Sequence, residues 1–197
     1  MLGAKQIKEE MELGTIVIDP YNEKQLQINS YDVTLGNWII RFKKMITEYH
    51  NDAFYLDETS SIGYQFHNPE RISDEEMVII DPGERILAHT AEIIGTRSDF
   101  VPQLATRSTL KRWGIDVCGS AGFGDVGFHN YWAMEITNES PNSLGIPVKA
   151  RVGQMYFTRV EGSDKLYDSN SFYMPDDGSE WKPEDMLPKI IVPVMEE

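Results

Sequence analysis

From residue 77 to residue 160 the chain is a run of short apolar stretches separated by turn-forming residues, and this spacing limits its fold more than any other feature. The stretches are 77–80, 85–96, 100–105, 115–118, 131–138, 145–150 and 154–160. Between them lie Asp81-Pro82-Gly83-Glu84, Gly124-Asp125, Asn138-Glu139-Ser140-Pro141-Asn142 and Glu161-Gly162-Ser163-Asp164. Short strands with turns at this interval predict a mainly β barrel or jelly roll. Helices are short and few: 4–13, where Ile7 and Met11 share a face ahead of Gly14, and 107–113. Two further strands are predicted at 15–18 and 38–42. Residues 43–76 are too polar and too few to bury a core of their own, so they read as an insertion in a single domain spanning 1–197. From about 163 onward the chain is rich in Asp, Ser, Pro and Gly and reads as a mobile tail, with a last strand at 189–194.

Charge narrows the partners. Eighteen Lys and Arg face 32 Asp and Glu, a net charge of −14, and such a field repels nucleic acid. A small anionic ligand is compatible with it only where cations gather locally. The lone cysteine, Cys118, excludes an intrachain disulfide framework and a multi-cysteine zinc cluster. His50, His67, His89 and His129 are scattered and form no HxxxH pair, so no metal site is predicted. No apolar run reaches the ~20 residues of a membrane span. The polar, helical start does not read as a signal peptide, and a reducing cytosol is the expected compartment, that of the host if the source is viral.

Three segments could carry chemistry. Thr106-Arg107-Ser108-Thr109-Leu110-Lys111-Arg112 concentrates three cations where a strand gives way to a helix, a local reversal of sign that a polyphosphate site would need. Ser120-Ala121-Gly122-Phe123-Gly124-Asp125-Val126-Gly127-Phe128 has three glycines within six residues, which lets backbone approach a ligand closely or adopt positive φ. Glu135 interrupts the apolar strand Tyr131-Trp132-Ala133-Met134-Glu135-Ile136-Thr137-Asn138. Facing inward it would suit proton transfer near neutrality; facing solvent by alternation it would be an ordinary polar residue. Each segment taken singly also has a plain structural explanation: a capped basic helix, a tight turn, a solvent face.

Their order and spacing resemble the dCTP deaminase family. Arg107-Ser108-Thr109-Leu110-Lys111-Arg112-Trp113-Gly114 is similar to that family's RSSxxRxG, the loop ending Asp125-Val126-Gly127-Phe128 to its DPGF or DAGF, and Met134-Glu135-Ile136-Thr137-Asn138 to its strand ending LE-hydrophobic-x-N. Upstream, 28–36 resembles PxSxDVRLG; Asp81-Pro82-Gly83-Glu84 and Val152-Gly153-Gln154-Met155 match a PGE turn and a GQL strand. The resemblance covers about residues 1–162.

It implies a dUTPase-like β fold assembled as a homotrimer, with magnesium-bound dCTP as substrate and deamination without zinc. Glu135 would move the protons, Ser108 and the Ala121 carbonyl would hold the attacking water, and Arg112 would orient Glu135. Arg107, Ser108, Thr109 and Gln154 would meet the phosphates, within a binding run continuing through Leu110, Lys111 and Arg112. Asp125 would face the deoxyribose; Ala133, Met134 and Glu135 would line the base pocket; Tyr167 would close it. Ala121-Gly122-Phe123-Gly124-Asp125 resembles the bifunctional members, which also hydrolyse dUTP to dUMP and diphosphate, and dTTP would be an inhibitor. Thr106 and Val126 depart from the family's residues, and Tyr167 is followed by neither the lysine nor the Gly-Gln of its lid. A dUTP diphosphatase on the same fold and a non-catalytic nucleotide-binding regulator remain open as alternatives.

Overall fold

The computed structural model describes residues 1–42, 67–162, 165–167 and 182–184. The chain opens with helix α1 (Ala4–Glu12), which buries Ile7 completely and packs Met11 on the same core. Then come β1 (Ile16–Asp19), β2 (Tyr31–Thr34), β3 (Trp38–Arg41), β4 (Glu70–Arg71), β5 (Met77–Ile80), β6 (Arg85–Thr96) and β7 (Phe100–Thr106). Helix α2 (Ser108–Arg112) separates these from β8 (Ile115–Val117), β9 (His129–Asn138), β10 (Leu144–Pro147) and β11 (Arg151–Arg159). The architecture is mainly β, as the spacing of apolar stretches implies.

Three antiparallel groups share one apolar core. The largest runs β4-β3-β6-β9-β8 with β1 also on β6; the second runs β2-β11-β7; the third is the β10-β5 pair. Strand β6 is the hub. Its Ile86 and Leu87 pair with β3, and its stretch from Ile93 to Thr96 pairs with β1 on the same edge. The change of partner coincides with a register shift against β9 between His89 and Ile93. Such an irregularity bends a strand and lets it serve two neighbours. At the bend the Thr90 hydroxyl donates to the Glu92 carbonyl at 2.7 Å and accepts from the Trp132 N–H at 2.9 Å.

The bend also turns two titratable side chains inward. Glu92, 3% exposed, accepts from the Gln25 amide at 2.7 Å, the Thr34 hydroxyl at 2.7 Å and the Thr34 N–H at 2.9 Å. His89, 2% exposed, accepts at Nε2 from the Trp38 N–H at 3.2 Å, and its Nδ1–H donates to the Thr90 carbonyl at 2.7 Å. Both ring nitrogens are therefore committed in the neutral tautomer. Burial pulls the imidazole pKa from 6.5 down to about 4 against the opposing pull of that carbonyl. Between those values the unfolded chain binds a proton that the native chain refuses, so stability present above pH 6.5 is lost as pH falls toward 4. The loss is of order 3 kcal/mol. Melting curves from pH 7.5 to 4.5 should drop steeply through this window, and a His89→Gln variant, although less stable at neutral pH, should give a flatter profile. Parallel profiles would show that His89 is not the group responsible.

Three features differ from the sequence expectation. Strand β2 was not foreseen, because its Asp32 and Thr34 are polar; both are nevertheless buried by pairing with distant residues. The 145–150 stretch begins as β10 but turns at Lys149, which takes φ 66, with the Ala150 N–H donating to Pro147 at 3.0 Å. The polar insertion rejoins the sheet earlier than 76: β4 pairs with β3, and Ile72 is buried in the core with its N–H donating to Asn37 at 2.8 Å. Residues 43–66 lie outside the described residues, as do the strand expected at 189–194 and most of the tail expected to be mobile.

Candidate active site

Strand β9 sorts its side chains by strict alternation. Trp132, Met134, Ile136 and Asn138 are buried, while Tyr131, Ala133, Glu135 and Thr137 lie on the half-exposed face. Glu135 thus avoids the apolar core and projects onto the face where a cavity opens. Met134 is fully buried among core residues, so its side chain does not line that cavity as the resemblance implied; alternation gives the position to its neighbours.

Pairing of β8 with β9 brings the glycine-rich loop to the same face. The Cys118 N–H donates to the Glu135 carbonyl at 2.8 Å, and the loop leaves directly from there. It then runs along β7: the Leu104 N–H donates to Gly122 at 2.6 Å and the Gly124 N–H to Pro102 at 2.9 Å. A Cβ on Gly122 would stand 2.0 Å from the Leu104 carbonyl oxygen, so this glycine permits close approach of backbone to backbone rather than to a ligand. Gly127 takes φ 98, and a Cβ there would meet the backbone N and O of Tyr167 at 2.9 Å. Room at Gly127 lets the Tyr167 N–H donate to Val126 at 2.7 Å and its ring meet Phe128 edge-on at 5.4 Å.

The result is a cavity of about 270 Å³ lined by Ala121, Asp125, Ala133, Glu135 and Tyr167, with aromatic walls from Phe123, Phe128, Tyr131 and Trp132. Five aromatic rings, Tyr167 included, around two carboxylates suit a flat heterocycle with a polar edge. The sequence alone gives Phe128 and Trp132 as core or interface groups; Trp132 is both core and wall, since its indole N–H is tied to the Ile94 carbonyl at 2.7 Å while its ring borders the cavity.

Cys118 sits at the base of this loop without being a nucleophile. Burial, reinforced by the charge of nearby Glu135, pushes its thiol up to about 12. In the native protein it should react with a thiol reagent orders of magnitude more slowly than free cysteine and should titrate fully in denaturant, which a timed absorbance assay reads directly. Rapid native labelling would contradict the burial.

The remaining candidates stand elsewhere. Ser108, Thr109, Lys111 and Arg112 project from the exposed side of α2, and Leu110 packs against the core. Lys111 is held by Asp116 at 2.7 Å and Glu139 at 2.9 Å, two hydrogen bonds that raise its pKa. Among the described residues no ion pair joins Arg112 to Glu135. Arg107 instead pairs with Asp32 at 3.3 Å, beside Arg151 at 3.2 Å and across from Gln154. In the sequence Asp32 stands only within the 28–36 resemblance and Arg151 not at all, because nothing local distinguishes a buried acid–base cluster spread over 119 positions.

This arrangement of strands defines a known class of fold. It matches the crystal structure of 2'-deoxycytidine 5'-triphosphate deaminase from Agrobacterium tumefaciens with a TM-score of 0.59 at 15% identity, over 81% of this chain and 48% of that one. The present chain therefore spans about half the length of that structure. A sequence model of the dCTP deaminase-like family matches residues 1–160, and the chain belongs to that family. Among its curated relatives, a protein of Methanosphaera stadtmanae is 36% identical over 183 residues, covering 90% of each chain. One of Clostridium acetobutylicum is 32% identical over 172 residues, 87% of this chain and 90% of its own. Both carry the name dCTP deaminase, dUMP-forming.

Proposed function

We propose that this chain deaminates dCTP and carries the product through to dUMP and diphosphate, supplying dUMP for thymidylate synthesis. The observation that supports it best is the composition of one cavity: Ala121, Asp125, Ala133, Glu135 and Tyr167 converge on it from three separated segments. Ser108 and Arg112 face outward on α2, so a full complement of catalytic groups requires the α2 of a second copy, and a homotrimer satisfies this with three equivalent sites.

In this reading the cytosine lies among the aromatic walls with its C4 edge toward Glu135. Water held between the Ser108 hydroxyl and the Ala121 carbonyl adds to C4. Glu135 takes one proton of that water and delivers it to the ring nitrogen, then takes the remaining proton from the new C4 hydroxyl and gives it to the amino group, so that ammonia leaves and a C4 carbonyl remains. No zinc takes part. Arg112 holds the Glu135 carboxylate in line. Arg107, the Ser108–Thr109 segment and Gln154 receive the phosphates, and Tyr167 covers the sugar. Asp125 then directs a second water to the α-phosphorus; the bond to the bridging oxygen breaks and diphosphate departs. Among the described residues no three His, Cys, Asp or Glu side chains gather to hold an ion, so magnesium would arrive on the triphosphate oxygens and offset their charge. dTTP, sharing the sugar and phosphates, would compete for the site. The cytoplasm, that of the host for a viral source, is where such substrates occur.

Incubation with magnesium and dCTP, resolving dUTP, dUMP and diphosphate, tests the reading. Wild-type protein should yield dUMP, Asp125→Asn should accumulate dUTP, and chelation of zinc should change neither. Light scattering should give three times the 22.5 kDa chain mass. Conversion of dUTP but not dCTP would leave a diphosphatase; conversion of neither, with nucleotide still bound, would leave a regulator.

A further inference from the structure

We infer that a second cavity, beside the candidate site, is the seat of the tail segment 182–184 with Pro183 as its anchor, and that the seated tail steadies Tyr131 as a wall of the candidate site. This cavity measures about 270 Å³ and lies where β3, β6 and β9 meet the turn after β10. Every residue that lines it belongs to the stretch 35–149 except Pro183, which arrives from the tail. Pro183 and Glu184 are half-buried there, while Lys182 is exposed.

The walls suit one kind of group. Trp38, His89 and Tyr131 supply three rings. His89 has both nitrogens committed, to the Trp38 N–H and the Thr90 carbonyl, so its ring offers the cavity carbon rather than a polar atom. Gly36 gives that ring its place, since a Cβ at 36 would stand 2.0 Å from His89 Cε1. Tyr131 meets the imidazole edge-on at 5.6 Å, and buried Leu35 and Val148 add aliphatic surface. Such an interior has no partner to give a backbone N–H, and proline brings none. The proline ring is rigid and apolar, packs on aromatic faces and loses little conformational freedom when it does so.

The rim is polar, and its charges match the neighbours of Pro183. The Asp74 Oδ2 and Lys149 Nζ pair at 2.5 Å, and the Asn37 amide donates to the Asp74 Oδ1 at 3.2 Å. Pro183 is flanked by Lys182 and Glu184, one cation and one anion for a rim that carries one of each. Glu184 lies near enough to His89 that its charge opposes the lowering of the imidazole pKa by burial.

The tail thus meets Tyr131 twice. Tyr167 shares the lining of the candidate site with it, and Pro183 shares the lining of the second cavity. A seated Pro183 narrows the positions open to the Tyr131 ring, so the aromatic wall is formed before a ligand arrives. That consequence rests on the deaminase reading for its ligand; the seat itself does not.

The test exposes full-length protein to a protease that cuts after glutamate and follows cleavage at Glu184 by mass spectrometry. Each rate is divided by that of the free peptide 178–190 of the same sequence, so that it reports the fraction of tail out of its seat. Pro183→Ala should raise this normalised rate about 5–10-fold, the expected cost of losing one half-buried apolar ring. Ala91→Leu, which fills the cavity and leaves the tail unaltered, should do the same. Both variants should raise KM for dCTP with kcat nearly unchanged. Wild-type cleavage rates in both would overturn the seat, and faster cleavage with a wild-type KM would overturn its link to Tyr131. Protection that grows with protein concentration would assign the cavity to the tail of a second copy and overturn the intrachain seat. If wild-type protein fails to turn over dCTP, the deaminase reading falls, while the cleavage rates still decide the seat.

Discussion

Glu135→Gln should remove deamination of dCTP almost entirely, by about 10²–10⁴-fold and toward the upper end, because in the proposed reaction one group handles every proton transfer. The amide keeps the shape of the carboxylate but cannot accept and return a proton. The fold should be untouched, since the Glu135 side chain lies on the half-exposed face of β9 and makes no ion pair within the described chain. Hydrolysis of dUTP should survive better than deamination, as the proposed reaction gives that step to Asp125. Arg112→Ala should be comparably damaging for a different reason: it removes the partner that α2 of a neighbouring copy would offer. The two defects can then be set against each other. If Glu135 and Arg112 of one site come from different copies, mixing the two inactive variants regenerates intact sites, and random reassembly should restore about a quarter of wild-type activity. No recovery after verified subunit exchange would mean that both residues act within one chain. Near wild-type dUTP or dUMP formation by Glu135→Gln would remove this residue from the chemistry.

The strand pattern was legible because burial in this protein mostly follows alternation. β9 buries every second position, with apolar Trp132, Met134 and Ile136 at its centre, and β6 has the ends expected from its flanking turns. What escaped was structure stabilised at long range. β2 reads as polar because Asp32 and Thr34 find partners 58 to 119 positions away, and no local pattern reports that. The same physics governed the site. Residues 106–112, 120–128 and 131–138 each carried the relevant side chains, yet only the register of β8 on β9 shows that Ala121, Asp125 and Glu135 meet at one cavity. Alternation also corrects the assignment of Met134, which a segment-wise reading grouped with its neighbours. The glycines of the loop were read as ligand-facing or left-handed. Gly122 is there for β7 and Gly127 for Tyr167, which explains how a tail lacking the family's later lid residues still brings its tyrosine to the cavity.

The largest effect on stability is expected at Glu92, which has no role in the proposed chemistry. Its buried carboxylate accepts three hydrogen bonds, from Gln25, the Thr34 hydroxyl and the Thr34 N–H, and thereby ties β6 to β2 where β6 bends. Truncation to Ala would strand three buried donors in a space too enclosed to hydrate them freely. Each such group costs about 1–3 kcal/mol, so a total of about 3–5 kcal/mol is reasonable once neighbours relax. That is a large share of the ~5–15 kcal/mol available to a domain. Glu92→Gln should be milder than Ala but not neutral, because its amide nitrogen must face at least one donor. Gln25 also donates to the Asp32 carbonyl at 2.8 Å, so slackening at Glu92 reaches the strand that carries the arginine cluster. Urea unfolding followed by tryptophan fluorescence should therefore show a lowered midpoint for both variants, Ala below Gln. Phosphate-dependent binding should weaken in Glu92→Gln even at temperatures where it remains fully folded. A midpoint within experimental error of wild type for Glu92→Ala would mean that β2 is held by its pairing with β11 alone.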